Sequence, residues 1–221
     1  MIAKSAGKFS VDALVFDAYG TLFDVRSVAL LAERLFPGHG TALSQLWRAK
    51  QLEYTWQRSL MKRYAPFSTV TRAALAYACE ALGLELTAER MEALMGEYLM
   101  LSPYPDVPDA IEQFAGKKAI LTNGSPDMIE PLVAHSGLKF DAVLSVDKLK
   151  TYKPAPEVYA LALKKLKIPK ERIGFVSSNC WDALGAKSFG FTVYWINRLG
   201  APVERLGFTP DKTINSLLDL A

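Results

Sequence analysis

Cysteine is nearly absent from this 221-residue sequence. Cys79 and Cys180 stand far apart and in no metal-ligand spacing, so they read as free thiols in a reducing compartment rather than a disulfide, and neither is assigned a catalytic role. Long apolar runs are missing as well. No stretch reaches the length that spans a bilayer, and the opening run Met1-Ile2-Ala3-Lys4-Ser5-Ala6-Gly7-Lys8 has basic residues without the apolar segment of a secretion leader. The expectation is a cytoplasmic protein with no membrane partner. An excess of one charge sign is also lacking. The formal net charge is +3, and Lys and Arg are spread among acids instead of gathered in blocks, which gives little support to nucleic-acid binding. A mild positive bias suits an anionic substrate. There is no internal repeat or low-complexity segment; 50% hydrophobic and 22% charged residues are values of a chain that buries a core.

Short, nearly all-apolar runs alternate with helical patterns, which is the signature of a βαβ series forming a parallel sheet covered on both faces. The expected strands are Ala13–Phe16, Ala119–Leu121, Ala142–Leu144, Gly174–Val176 and Thr192–Ile196. Between the first two lies a long segment, residues 25–101, with helical periodicity and no convincing strand. Its stretch Leu46–Trp56 lacks Gly and Pro, Phe36-Pro37-Gly38-His39-Gly40 marks a turn before it, and Tyr104-Pro105-Asp106-Val107-Pro108 is the connector after which the sheet pattern resumes. The fold class is therefore α/β: a Rossmann-like core from residues 1–24 and 102–221, with a helical cap domain, 25–101, inserted in it.

In an open parallel sheet, ligands bind beyond the carboxyl ends of the strands. Four polar clusters fall there: Asp17-Ala18-Tyr19-Gly20-Thr21 after the first strand, Thr122-Asn123-Gly124-Ser125 after the second, Tyr152-Lys153-Pro154 in a later loop, and Ser177-Ser178-Asn179-Cys180-Trp181-Asp182 after the fourth. Taken singly, such residues serve as helix caps or turn formers. Taken together they bring carboxylates, one amine and several amides and hydroxyls to one crevice.

These four phrases resemble the haloacid dehalogenase superfamily, and its L-2-haloacid dehalogenase branch in particular. The resemblance covers nearly the whole chain and implies Asp17 as nucleophile, with Thr122, Lys153 and Asp182 as the superfamily's second, third and fourth motif residues. It also implies Thr21, Ser177 and Asn179 in the catalytic network, and Arg48 and Asn123 as the halide site. Substrate would contact Thr122, the backbone near Ala18 and Tyr19, and a wall containing Tyr19, Leu52, Phe67, Tyr159 and Trp181; a homodimer is implied as well. One departure is Ala49 after Arg48, where relatives carry a larger polar side chain.

Position 19 separates branches on physical grounds. Phosphatases of the superfamily place a second Asp there as general acid and use Mg²⁺ against phosphate charge. Tyr19 supplies no low-pKa acid, whereas a halide leaves without a proton. The expected reaction is displacement of halide from an L-2-haloacid by Asp17, through an ester that water hydrolyses to the D-2-hydroxy acid, with no metal and no cofactor. The alternatives are a Mg²⁺-dependent phosphatase of the same fold and a non-catalytic anion-binding protein.

Overall fold

The computed structural model describes residues 11–220; residues 1–10 and 221, including the Met1–Lys8 run, lie outside the described residues. Strand β1 (Ala13–Phe16) is buried at every position. Around it run β2 (Lys117–Thr122), β3 (Ala142–Ser145), β4 (Ile173–Ser177), β5 (Thr192–Ile196) and β6 (Lys212–Ile214), in one sheet of order β3-β2-β1-β4-β5-β6 whose pairs are all parallel. Helices cover both faces, which is why Leu14, Val15 and Phe16 are consecutive and apolar; burying each such side chain contributes about 1.5–3 kcal/mol. Gly174 in β4 permits this packing, since a Cβ there would lie 2.8 Å from Leu14 Cδ2 and 2.9 Å from Tyr194 Cε2.

All five strands expected from the sequence are present, three of them one to three residues longer. The sixth, β6, escaped because Lys212-Thr213-Ile214 is short, polar and at the sheet edge, where Lys212 and Thr213 are exposed.

The core helices are α5 (Val107–Gln113), α6 (Pro126–Ser136), α7 (Pro156–Leu166) and α8 (Cys180–Phe189). Four others, α1 (Arg26–Leu35), α2 (Gly40–Leu60), α3 (Phe67–Ala81) and α4 (Ala88–Glu97), fall between β1 and α5. The 21-residue α2 buries Leu43, Trp47, Gln51 and Thr55, a stripe at spacing four that faces α3. Trp47 Nε1 donates to the Thr71 carbonyl at 2.8 Å, tying the two helices. The chain leaves and re-enters the core side by side: Tyr104 N–H donates to the Leu22 carbonyl and Asp24 N–H to the Ser102 carbonyl, each at 2.9 Å. Among the described residues no helix is long and apolar enough to cross a membrane.

Candidate active site

Because β1 and β4 are neighbours, Asp17 and the Ser177–Asp182 segment emerge together; Asp17 N–H donates to the Val176 carbonyl at 2.9 Å. The Asp17 carboxylate is held on both oxygens. Lys153 Nζ lies 3.0 Å from Oδ1, while Thr21 Oγ1 (3.1 Å) and Asn179 Nδ2 (2.9 Å) donate to Oδ2. Thr21 Oγ1 in turn accepts from Ser178 N–H at 2.8 Å.

Lys153 is 1% exposed and bridges two carboxylates, with Nζ 2.8 Å from Asp182 Oδ2. Burial alone would favour its neutral form, but Asp17 and Asp182 outweigh burial and hold the ammonium charged. Asp182 sits in the first turn of α8, wholly buried, and Tyr159 Oη donates to its Oδ1 at 2.8 Å. Burial, opposed by Lys153 and reinforced by Asp17, pushes Asp182 up to about 6. Two acids thus share one buried lysine.

Above this cluster is a small cavity of about 10 Å³, space for one water-sized body. The core contributes Asp17, Tyr19, Thr122, Asn123, Asn179 and Trp181; the α1–α4 region contributes Arg48, Leu52 and Phe67. Tyr19 stacks on Phe67 with centroids 6.1 Å apart and meets Tyr98 edge-on at 5.8 Å; burial raises its phenol far above its ordinary value, so it stays protonated. Trp181 is braced by Trp56, whose ring centre is 5.5 Å away. Thr122 Oγ1 accepts from Gly124 N–H at 3.0 Å, and Asn123 Oδ1 accepts from Lys153 N–H at 3.0 Å. The second loop therefore both lines the cavity and fixes the lysine loop. A larger cavity of about 200 Å³, between α3, α4 and α6, includes none of the Asp17, Lys153 or Asp182 cluster.

The structure brings nine of the fifteen sequence candidates to the cavity wall and sets six behind it: Thr21, Lys153 and Asp182 contact Asp17 or each other beneath it, and Ala18, Ser177 and Tyr159 lie further back. Tyr159, expected on the substrate wall, is fully buried beneath Asp182 and outside the cavity lining, so its contact is with the carboxylate. Ala18 is also fully buried; its carbonyl accepts from the N–H groups of Thr21, Leu22 and Phe23 and closes the turn that carries Tyr19. Ser177 Oγ accepts from Asn179 N–H at 3.1 Å, shaping the loop without reaching the cavity.

Other residues were not singled out from sequence. Gln51 Oε1 accepts from Arg48 Nη1 at 2.6 Å, Gln51 Nε2 donates to Thr71 Oγ1 at 2.8 Å, and Thr71 Oγ1 donates to the Phe67 carbonyl at 2.7 Å. This buried relay aims the Arg48 guanidinium into the cavity. Its signal was available: Gln51 is a polar residue four positions after Trp47 on the buried stripe of α2, and a buried amide requires partners. Among the described residues, no three His, Cys, Asp or Glu side chains cluster as ligands for a metal ion.

A doubly wound parallel sheet carrying a buried, lysine-bridged carboxylate pair at its strand tips defines a hydrolase-type site of the Asp-at-β1 class. The chain belongs to the haloacid dehalogenase-like hydrolase family, whose model matches residues 11–190. It is 49% identical over 212 residues to an (S)-2-haloacid dehalogenase of Pseudomonas sp. (strain YL), covering 94% of this chain and 91% of that protein. A crystal structure of an L-2-haloacid dehalogenase, 49% identical, matches with a TM-score of 0.94 over 96% of this chain and 97% of that one. The L-2-haloacid dehalogenase of Xanthobacter autotrophicus with chloropropionic acid covalently bound matches at 44% identity and a TM-score of 0.89, covering 95% of this chain and 96% of that one.

Proposed function

We propose that this protein is an (S)-2-haloacid dehalogenase, hydrolysing short-chain L-2-haloacids to D-2-hydroxy acids with Asp17 as nucleophile. One observation carries the reading: Asp17, directly after β1, lines the cavity and is oriented on both oxygens by Lys153, Thr21 and Asn179. A carboxylate oxygen of Asp17 bonds to C2 of the substrate from the face opposite the halogen, and the C–X electron pair leaves with the halide. Water then attacks the Asp17 ester carbonyl. The ester C–O bond breaks toward the hydroxy acid, which takes up a proton, and Asp17 is regenerated.

The remaining roles follow from reach and charge. Arg48 and the Asn123 amide donors face the halogen as charge develops on it, and Thr122 hydroxyl with the backbone N–H groups near Ala18 and Tyr19 receives the substrate carboxylate. Asp182 and Tyr159 hold Lys153, while Ser177 and Asn179 hold the loop along which the hydrolytic water is polarised. Tyr19, Leu52, Phe67 and Trp181 enclose a substrate of two or three carbons and exclude water. No metal takes part in this scheme, because Tyr19 replaces the acid of the phosphatase branch and the one carboxylate of the fourth motif, Asp182, is engaged by Lys153.

Residues 25–101 act as a cap domain over the core, in a cytoplasmic homodimer. Exposed Trp56, Leu60, Met61 and Tyr77 on and just after α2 and on α3 support self-association of that region. The test is halide release from L-2-chloropropionate and its D-enantiomer with chelator present and the product resolved chirally. Selective turnover of the L-form to D-lactate is the expected result; turnover that a chelator abolishes and Mg²⁺ restores would favour the phosphatase-type site.

A further inference from the structure

Arg198 follows β5 and stands where the helical insert leaves and rejoins the core. Its Nη2 donates to the Thr21 carbonyl at 3.0 Å and to Asp106 Oδ1 at 3.1 Å, and its Nη1 donates to Asp106 Oδ2 at 3.3 Å. The guanidinium sits over the Tyr104 ring, with Cζ 3.9 Å from the ring centre. Both ion-pair side chains are only 13% exposed, so this pair is shielded far more than a surface contact. Asp106 Oδ2 also accepts from Leu217 N–H at 2.7 Å and Ser216 Oγ at 3.1 Å.

These contacts span both linkers. Thr21 lies on the outgoing chain, Tyr104 and Asp106 on the returning one, and the two chains are joined by the Tyr104 N–H to Leu22 carbonyl bond. Thr21 also carries the hydroxyl that donates to Asp17 Oδ2. One planar fork therefore grips the backbone of the residue whose side chain orients the reacting carboxylate.

We propose that Arg198 is a positioning residue: by clamping the Thr21 carbonyl to Asp106 and Tyr104, it keeps the Thr21 hydroxyl, and through it Asp17, in the geometry for in-line displacement. The proposal rests on the dehalogenase reading above. Displacement tolerates little misalignment between nucleophile and carbon, so loosening Thr21 acts on the chemical step more than on substrate binding. A lysine reaches one partner as a point charge and cannot reproduce the fork or the stacking, so it restores part of the function.

The experiment compares the full chain with Arg198→Lys and Arg198→Met, measuring kcat and KM for L-2-chloropropionate beside thermal melting. The expected result is a kcat loss of about tenfold in Arg198→Met, a smaller loss in Arg198→Lys, and KM within about twofold of the parent in folded protein. A kcat within about twofold of the parent in both variants, or a loss confined to KM, overturns the proposal. If Arg198→Met does not fold, Arg198→Lys alone decides by the same criteria. A parent chain that releases no halide overturns the dehalogenase reading itself, an outcome distinct from an active parent with indifferent variants.

Discussion

Arg48 Nη2 donates to Asn179 Oδ1 at 3.3 Å, joining α2 to the loop after β4 through two residues that line the cavity. Asn179 also donates through Nδ2 to Asp17, so the guanidinium and the nucleophile are linked through one amide. On the proposed reading, a haloacid larger than this small cavity parts Arg48 from Asn179 and the freed donor turns to the halogen. Arg48→Ala is expected to lower kcat for L-2-chloropropionate by about a hundredfold or more, the scale of removing one donor to developing charge. Arg48→Lys is expected to recover little, since the Gln51 bond at 2.6 Å aims a fork that lysine lacks. An Arg48→Ala enzyme with near-parental kcat would remove Arg48 from the halide site.

Asp182 gives activity an acid limit. Its carboxyl is pushed up to about 6, chiefly by burial, and its ionised form is the one that pairs with Lys153. As pH falls through about 6, protonation removes one of the two negative charges holding the ammonium, so kcat is expected to decline there with an apparent value belonging to the coupled cluster. The stability contribution of this group has the opposite sign. Its folded value lies above the ordinary 3.8, so the folded state binds the extra proton and Asp182 opposes folding progressively as pH rises from 3.8 to about 6. Activity loss near pH 5.5 with unchanged far-ultraviolet circular dichroism is the expected pattern.

Lys153 is where stability and chemistry meet. Lys153→Met keeps a comparable apolar stem but leaves Asp17 and Asp182 buried without their shared cation. The cost expected for breaking a buried pair by removing one partner is about 3–5 kcal/mol, read from urea denaturation at neutral pH. The same variant should lose less stability at pH 5, because a protonated Asp182 needs no counter-charge. An equal loss at both pH values would mean that packing of the lysine stem, not its charge, is what the fold uses.

Much of this was legible in the sequence. The strands at the sheet centre declare themselves because both faces are covered, leaving unbroken apolar runs such as Leu14-Val15-Phe16, and the polar residue following each one lands at the site for topological reasons alone. Depth was not legible. Tyr159 and Ala18 belong to the same neighbourhood as the cavity, yet Tyr159 supports Asp182 from below and Ala18 closes a turn, a distinction that depends on which way side chains point from α7 and the β1 turn. Nor were the relays: Gln51 with Thr71 behind Arg48, and Arg198 behind Thr21, join residues 20 and 177 positions apart, respectively, and such polar pairing has no local period to betray it.

The ester intermediate makes an isotopic prediction. Under a single turnover in oxygen-18 water, with enzyme in excess over L-2-chloropropionate, the oxygen that joins C2 comes from the Asp17 carboxylate and the solvent oxygen enters at the Asp17 carbonyl carbon. The first lactate formed should therefore carry unlabelled hydroxyl oxygen, while the peptide containing Asp17 gains the label by mass spectrometry. Label appearing in lactate during the first turnover, with Asp17 unlabelled, would mean that water attacks C2 directly and that Asp17 acts as a base instead of a nucleophile.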